Sequence, residues 1–142
     1  MKIQSERLTA AEYIDFLKRT DLGSQYPAER FESRIHKLVR NVPVSLTARD
    51  DGGRLIGACF GITDFAYWLF ITDLGVDRDY VKRGVGKALV EAALEAAGGA
   101  DDIVVYTCAN EGAVGFYEKL GMVRAGDVMV YNRAQWTDFT VK

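Results

Sequence analysis

Val81-Lys82-Arg83-Gly84-Val85-Gly86-Lys87 stands between an apolar, strand-like run and an alanine-rich amphipathic run. That layout dictates a strand, a basic glycine loop and a helix start, in that order. Two glycines let the backbone approach a ligand closely, and the first turn of a helix offers amides that have no intrahelical partner. These amides, the positive end of the helix and three cations suit a pyrophosphate. The segment therefore points to a phosphate-bearing ligand, against the simpler reading of a surface turn that holds two glycines.

The rest of the chain alternates strands and helices around this segment. Lys2–Gln4 reads as a short first strand. Thr9 with Glu12 makes a capping box for a helix running to about Arg19. Pro27 suits the start of a second helix whose face carries Phe31, Ile35 and Leu38. Val44–Arg49 and Arg54–Gly61 read as strands of a hairpin turned at Asp50-Asp51-Gly52-Gly53. Tyr67–Val76 is a long strand rich in aromatic and branched residues. Gly84–Ala97 is a helix with Val85, Leu89, Ala92, Ala93 and Ala96 inward and Lys87, Glu91 and Glu95 outward, stopped by Gly98-Gly99. Ile103–Cys108 reads as a strand, Gly112–Leu120 as a short helix ended by Gly121, and Val128–Asn132 as a last strand. Strands followed by helices on a mixed sheet make this an α/β or α+β domain.

A chain of 142 residues, 49% hydrophobic, fits a single domain over 1–142 with a real core. Two prolines, no low-complexity tract and no repeat give no boundary. Eighteen basic and twenty acidic residues leave a net charge of −2, which argues against nucleic acid as partner. No apolar run reaches transmembrane length, and Met1-Lys2-Ile3-Gln4-Ser5 lacks the apolar region of a signal peptide, so a cytoplasmic location without membrane attachment is expected. Cys59 and Cys108 are too few for a disulfide framework or a four-ligand zinc site, and no His, Cys or acidic cluster has metal-ligand spacing.

The glycine loop fails two familiar patterns. A nucleoside-triphosphate loop requires glycine where Val81 stands and Ser or Thr where Ala88 stands. A dinucleotide fingerprint requires a small residue where Leu89 stands, and an acidic residue at the end of a following strand that is apolar from Ile103 to Val105. A second segment then follows about two dozen residues later: Asn110-Glu111-Gly112-Ala113-Val114-Gly115-Phe116-Tyr117-Glu118-Lys119-Leu120-Gly121-Met122. Together the two segments resemble the GCN5-related N-acetyltransferase (GNAT) superfamily, which moves an acyl group from acyl-coenzyme A to an amine. That family's loop reads Gln/Arg-x-x-Gly-x-Gly/Ala, matched by Val81 to Gly86 at both glycines. Its later segment reads Asn-x-x-Ala-x-x-Phe-Tyr-x-x-x-Gly-Phe, followed by Asn110 to Met122 with Met in the final place. The resemblance covers roughly Tyr67 to Tyr131.

This resemblance implies a mostly antiparallel mixed sheet with one splayed parallel strand pair and helices on both faces. It implies acetyl-coenzyme A (acetyl-CoA) as cofactor and acyl donor. The pantetheine arm would bond backbone groups of Leu74 and Val76 like an added strand, with Gly75 suited to the family's bulge. The pyrophosphate would sit on the amides from Lys82 through Arg83, Gly84, Val85 and Gly86 to Lys87, with charge from Arg83 and Lys87. Val81 replaces the family's Gln or Arg, a departure that weakens the donor contact. Asn110 would cap the next helix and hold the pantetheine side. Tyr117 would protonate the leaving thiolate, a task suited to a phenol that is neutral at working pH; the rival role is packing against the donor, beside Phe116.

The proton acceptor is less well marked. Relatives often carry Glu or His at places that align here with Phe70 and Thr72, neither of which is a base. Strand alternation turns Asp73 to the opposite face. Asp64, from the preceding loop, or a water chain through Thr72 remains. His36 reads as a partly exposed structural residue, and Cys59 and Cys108 as small buried hydrophobes. Asp64-Phe65-Ala66-Tyr67-Trp68-Leu69-Phe70 reads as sheet packing or as an acceptor pocket with Phe65, Tyr67 or Trp68; such a pocket would suit a compact, partly apolar amine. Asp21 to Tyr26 reads as a mobile loop whose Tyr26 could cover a ligand, and Asp21 and Asp64 could attract an ammonium. The resulting expectation is an acetyltransferase acting on a small-molecule or peptide amine by direct attack in a ternary complex. Its rivals are a non-catalytic acyl-CoA sensor and a subunit whose aromatic surface recruits a protein. A homodimer is compatible with the family, and the tail Trp136-Thr137-Asp138-Phe139 could pack on the body or across such an interface.

Overall fold

In the computed structural model, residues 1–134 and 141–142 are described; the tail Trp136–Phe139 lies outside them. The chain forms β1 (Lys2–Ser5), α1 (Ala10–Leu17), α2 (Phe31–Asn41), β2 (Val44–Arg49), β3 (Leu55–Thr63), β4 (Trp68–Val76), α3 (Val85–Ala97), β5 (Val104–Thr107) and α4 (Glu111–Lys119). Single 3-10 turns occur at Asp21–Ser24 and Arg78–Tyr80. The five strands lie in chain order in one sheet, antiparallel from β1 to β4 and parallel between β4 and β5. This is the mixed sheet with one parallel pair that the sequence led us to expect.

Local chemistry sets most of the boundaries. Thr9 Oγ1 accepts from the Glu12 amide at 3.1 Å and starts α1. The Glu12 carboxylate does not close the capping box; it turns to Arg49 at 3.0 Å. Asp50 Oδ1 accepts from the amides of Gly52 and Arg54 and fixes the β2–β3 turn. Pro27 does not open α2, which begins four residues later behind Arg30 in the left-handed region at φ 54°.

The sheet separates two apolar layers. On one face α1 and α2 bury Tyr13, Phe16, Leu17, Ile35 and Val39 against Phe60 and Ala58. On the other, α3 buries Val85, Leu89, Val90, Ala93 and Ala97 against Cys59, Leu69 and Ile71. Each large side chain so buried contributes roughly 2 kcal/mol. The inner stripe of α3 runs through Val90 and Ala97, while Ala96 is exposed, a small rotation from the expected face. Gly57 lets this helix dock closely, since a Cβ there would stand 2.8 Å from both Leu89 and Val85.

One irregularity in β4 decides where its side chains point. Phe60 pairs with Asp73 and Gly61 with Ile71, so Thr72 is an extra residue in β4. Before it, Leu69 and Ile71 face α3. After it, a Cβ on Gly75 would stand 2.5 Å from Leu22, on the α1 side. The alternation has reversed. The bulge is at Thr72, not Gly75, which pairs regularly with Ala58. Asp73 therefore faces α1 and α2, contrary to unbroken alternation.

Val128–Asn132 forms no strand, and Met129, Val130 and Tyr131 are exposed. β5 ends at Thr107, so Cys108 lies beyond it and is exposed, where a buried hydrophobe was expected.

Candidate functional site

The parallel pairing of β4 and β5 runs from Trp68 opposite Val104 to Ile71 opposite Thr107 and stops there. β4 continues to Val76 without β5 beside it. The Asp77 amide donates to the Ile56 carbonyl at 2.8 Å, on the β3 side. Backbone direction alternates along a strand, so Val76 and Leu74 turn their amides and carbonyls toward the side that β5 has left. This is a cleft with an open strand edge, suited to an extended amide-bearing ligand.

Asp77 anchors the segment that follows. It binds Arg19, accepts from Arg54 Nη2 at 3.1 Å and caps the Asp79 amide at 2.9 Å. Burial alone would raise its pKa, but the Asp79 amide and the two guanidiniums outweigh that and hold it below the usual carboxylate range. Tyr80 donates to Asp50 Oδ2 at 3.0 Å, and Arg83 lies over the Tyr80 ring with its guanidinium carbon 5.0 Å from the ring centre. Lys82 and Gly84 both adopt positive φ, 63° and 80°, and so turn the chain sharply into α3. No side chain caps that helix, and its first backbone bond is from Ala88 to the Gly84 carbonyl. The amides of Gly84, Val85, Gly86 and Lys87 are thus without helical partners. Lys82, Arg83 and Val81 are exposed around them. The residues fit a pyrophosphate.

Asn110 caps α4, accepting from the Ala113 amide at 2.9 Å. That fixes α4 over the cleft: Phe116 packs into the α3-side core and lies 3.2 Å from where a Gly86 Cβ would stand. Next to it, Tyr117 lines a hollow together with Thr107, whose Oγ1 donates to the Ile71 carbonyl at 3.0 Å. Burial raises the Tyr117 pKa and the nearby Thr107 side chain only partly offsets this, so the phenol stays protonated at neutral pH. Tyr117 thus stands beside Thr107, the last paired residue of β5, near the fork where the two strands part.

On the α1/α2 face lies a cavity of about 580 Å³ lined by Tyr26, Phe31, Ile35, Leu38, Thr72 and Asp73 among others. Asp73 is buried in its wall. Tyr26 donates to Asp73 Oδ1, as does Gln25 Nε2 at 2.8 Å, and Thr72 Oγ1 donates to Oδ2 at 2.7 Å. Tyr13 and Tyr26 share a hydrogen bond of 2.7 Å. Burial pushes the Asp73 carboxyl up despite these donors, and pushes both phenols far above their usual range. Burial and the Asp73 charge also lift the Cys59 thiol to about 12, which leaves it unreactive.

The expected acceptor residues divide. Tyr26 and Thr72 meet at Asp73. Asp64 and Phe70 line a separate hollow of about 420 Å³ with Trp68 and Tyr106. Asp64 Oδ1 accepts from the amides of Ala66, Tyr67 and Trp68, which lowers its pKa and commits it to its own turn. Phe65 and Tyr67 are exposed, and so is His36. Among the described residues no group of three or more His, Cys, Asp or Glu could hold a metal ion, and no helix is long and apolar enough to cross a membrane. Sequence reasoning passed over Asp73 because the bulge was invisible. The signal available was the polar pair Thr72-Asp73 inside an otherwise apolar strand.

The sequence model of the acetyltransferase (GNAT) family matches residues 10–122. The chain belongs to the GNAT family. Its fold is also that of solved relatives. A candidate acetyltransferase from Deinococcus radiodurans R1 is 25% identical with a TM-score of 0.71, covering 93% of this chain and 87% of that one. A GNAT-family acetyltransferase from Streptococcus pneumoniae TIGR4 is 19% identical with a TM-score of 0.68, covering 93% and 98%. The GNAT-family N-acetyltransferase YhbS from Escherichia coli, solved in complex with CoA, is 23% identical with a TM-score of 0.63, covering 84% and 67%. No curated protein matches the chain. GNAT enzymes use acetyl-CoA, and the cleft and loop of this GNAT chain fit that donor.

Proposed function

We propose that this GNAT chain transfers an acetyl group from acetyl-CoA to a primary amine by direct attack in a ternary complex. The observation that carries the reading is the departure of β5 from β4 after Ile71, directly ahead of the uncapped first turn of α3. The donor supplies an activated thioester. The chain's part is to hold it. Leu74 and Val76 offer an open strand edge to the pantetheine arm, and the amides from Gly84 to Lys87 with Arg83 and Lys87 offer charge to the pyrophosphate. A backbone amide near Val76 stabilises the oxyanion, and Tyr117 donates its proton to the departing thiolate. Asn110 and Phe116 position α4 and hence Tyr117.

The thiol Cys108 is exposed beyond the end of β5, outside the open edge that Leu74 and Val76 offer, which favours direct transfer over an acyl-cysteine intermediate. The deciding experiment is calorimetric titration of acetyl-CoA followed by thiol release across a panel of amines. Binding with amine-dependent thiol release is expected. Binding without release by any amine would support an acyl-CoA sensor instead, and absence of binding would overturn the reading.

A further inference from the structure

We infer that the cavity between β4 and α2 takes a primary amine with an apolar body and a single ammonium, and that Asp73 is the group that receives its proton. This rests on the reading of the chain as an acetyl-CoA-dependent N-acetyltransferase. It adds the class of acceptor and a catalytic residue that strand alternation had hidden.

Three observations support it. First, among the described residues the lining is mostly apolar, with Phe31, Ile35, Leu38, Ile62 and two prolines, and it carries one acid, Asp73, and one base, Arg34. The single buried carboxylate matches one cationic head, whereas a second ammonium would find no acid to pair with and would share the cavity with the Arg34 guanidinium. Second, the carboxylate is not saturated. An ionised carboxylate has about four acceptor positions. Tyr26 and Gln25 occupy two at Oδ1 and Thr72 one at Oδ2, which leaves Oδ2 able to accept from a ligand N–H. Third, Asp73 stands two residues beyond Ile71, the point at which β5 leaves β4 and Thr107 Oγ1 donates to the Ile71 carbonyl at 3.0 Å. Asp73 thus lies on β4 just beyond the fork at which the acyl group would arrive.

The proton balance is simple. An N–H bond of the ammonium breaks and an O–H bond forms on Asp73, which leaves the nitrogen lone pair free to attack the acyl carbon. The C–N bond forms as the C–S bond breaks, and the thiolate takes the Tyr117 proton. The second nitrogen proton restores the phenol, and the proton on Asp73 passes to solvent. Burial, which favours the protonated carboxyl, makes Asp73 a stronger base than a surface aspartate. Tyr26, backed by Tyr13, is a positioning residue.

The test uses the full chain, acetyl-CoA, and phenethylamine, hexylamine and spermidine as acceptors. Phenethylamine and hexylamine are expected to exceed spermidine in kcat/KM by about tenfold or more. Asp73→Asn should bind acetyl-CoA as wild type does, with kcat near neutral pH lowered about 100-fold. That gap should close toward about pH 10, where the amine sheds its own proton. A purely structural Asp73 would not give that recovery. Ile62→Trp, at an exposed rim position, should raise KM for phenethylamine with donor affinity unchanged, and it stands as the test if Asp73→Asn fails to fold. A folded Asp73→Asn with the wild-type pH profile, a preference for spermidine, or donor binding with neither monoamine acetylated would each overturn the inference and leave the donor site standing. Failure of the wild type to bind acetyl-CoA would remove both.

Discussion

Phe116 and Gly86 are in contact range across the cleft: a Cβ built on Gly86 would stand 3.2 Å from two carbons of the Phe116 ring. One belongs to the glycine loop and the other to the later Asn-Phe-Tyr segment, thirty residues apart in sequence. The contact couples the position of α4, and so of Tyr117, to the turn that would receive the pyrophosphate. The proper test is a single methyl. Gly86→Ala should fold, because the ring has to yield only slightly, but α4 should shift. Acetyl-CoA affinity is expected to fall about fivefold, on the order of 1 kcal/mol. Calorimetry showing unchanged affinity would uncouple the two segments.

Gly84 offers a separation of charge from strain. Its φ is 80°, yet a Cβ there meets nothing within 4 Å. Gly84→Asp should abolish donor binding by repelling the pyrophosphate. Gly84→Asn, which tolerates the left-handed conformation and carries no charge, should keep most of it. Equal affinities for the two folded variants would show that no phosphate sits there.

Tyr117→Phe retains the ring that packs by Phe116 and removes only the acid. Turnover is expected to fall about 100-fold with donor affinity changed by less than about threefold. Wild-type turnover in the variant would make Tyr117 a packing residue.

Asp77 is buried between Arg19 and Arg54 at the entry to the loop. Asp77→Asn keeps the shape and removes the charge, leaving Arg19 short of its counterion. Urea unfolding should show a loss of about 2 kcal/mol. Asp15→Asn, whose exposed carboxylate lies 3.7 Å from the same arginine, should change stability by less than about 0.5 kcal/mol.

Glu6 gives a pH signature. Burial would raise its carboxyl, but the Arg49 guanidinium, the Thr47 hydroxyl and Gln4 outweigh that and lower it from 4.5 to about 2. The folded pKa lies below the unfolded one, so the unfolded state binds more protons between these values. The contribution is therefore present in full above about pH 4.5 and is lost as pH falls toward about 2. Stability measured by urea unfolding from pH 5 to pH 2 should decline more steeply in wild type than in Glu6→Gln.

What the sequence determined was whatever depends on neighbouring residues. Thr9 and Asn110 each accept from an amide three residues on, Gly98 ends α3, and Asp50 builds the hairpin turn, all as their residue types and spacing dictate. The glycine loop was legible in the same way, because a short motif carries its own geometry, whereas Tyr117 was marked only by the resemblance to the GNAT family. The placement of α2 was less so: Pro27 looked like a helix start, but Arg30 at positive φ begins the helix, a choice made by packing Phe31 and Ile35 onto the sheet. Tertiary structure alone decided the face of Asp73. An extra residue in a strand is defined only by the register of its partner, and the mismatch at Thr72 arises between β3 and β4, not within β4. That one offset turned a carboxylate from the α3 core to the cavity beneath α2, where Gln25 and Tyr26 from a distant segment hold it. The same holds for Val128–Asn132, whose branched and aromatic residues suit a strand but which pairs with no other strand among the described residues, since strand formation requires a partner as well as a suitable composition.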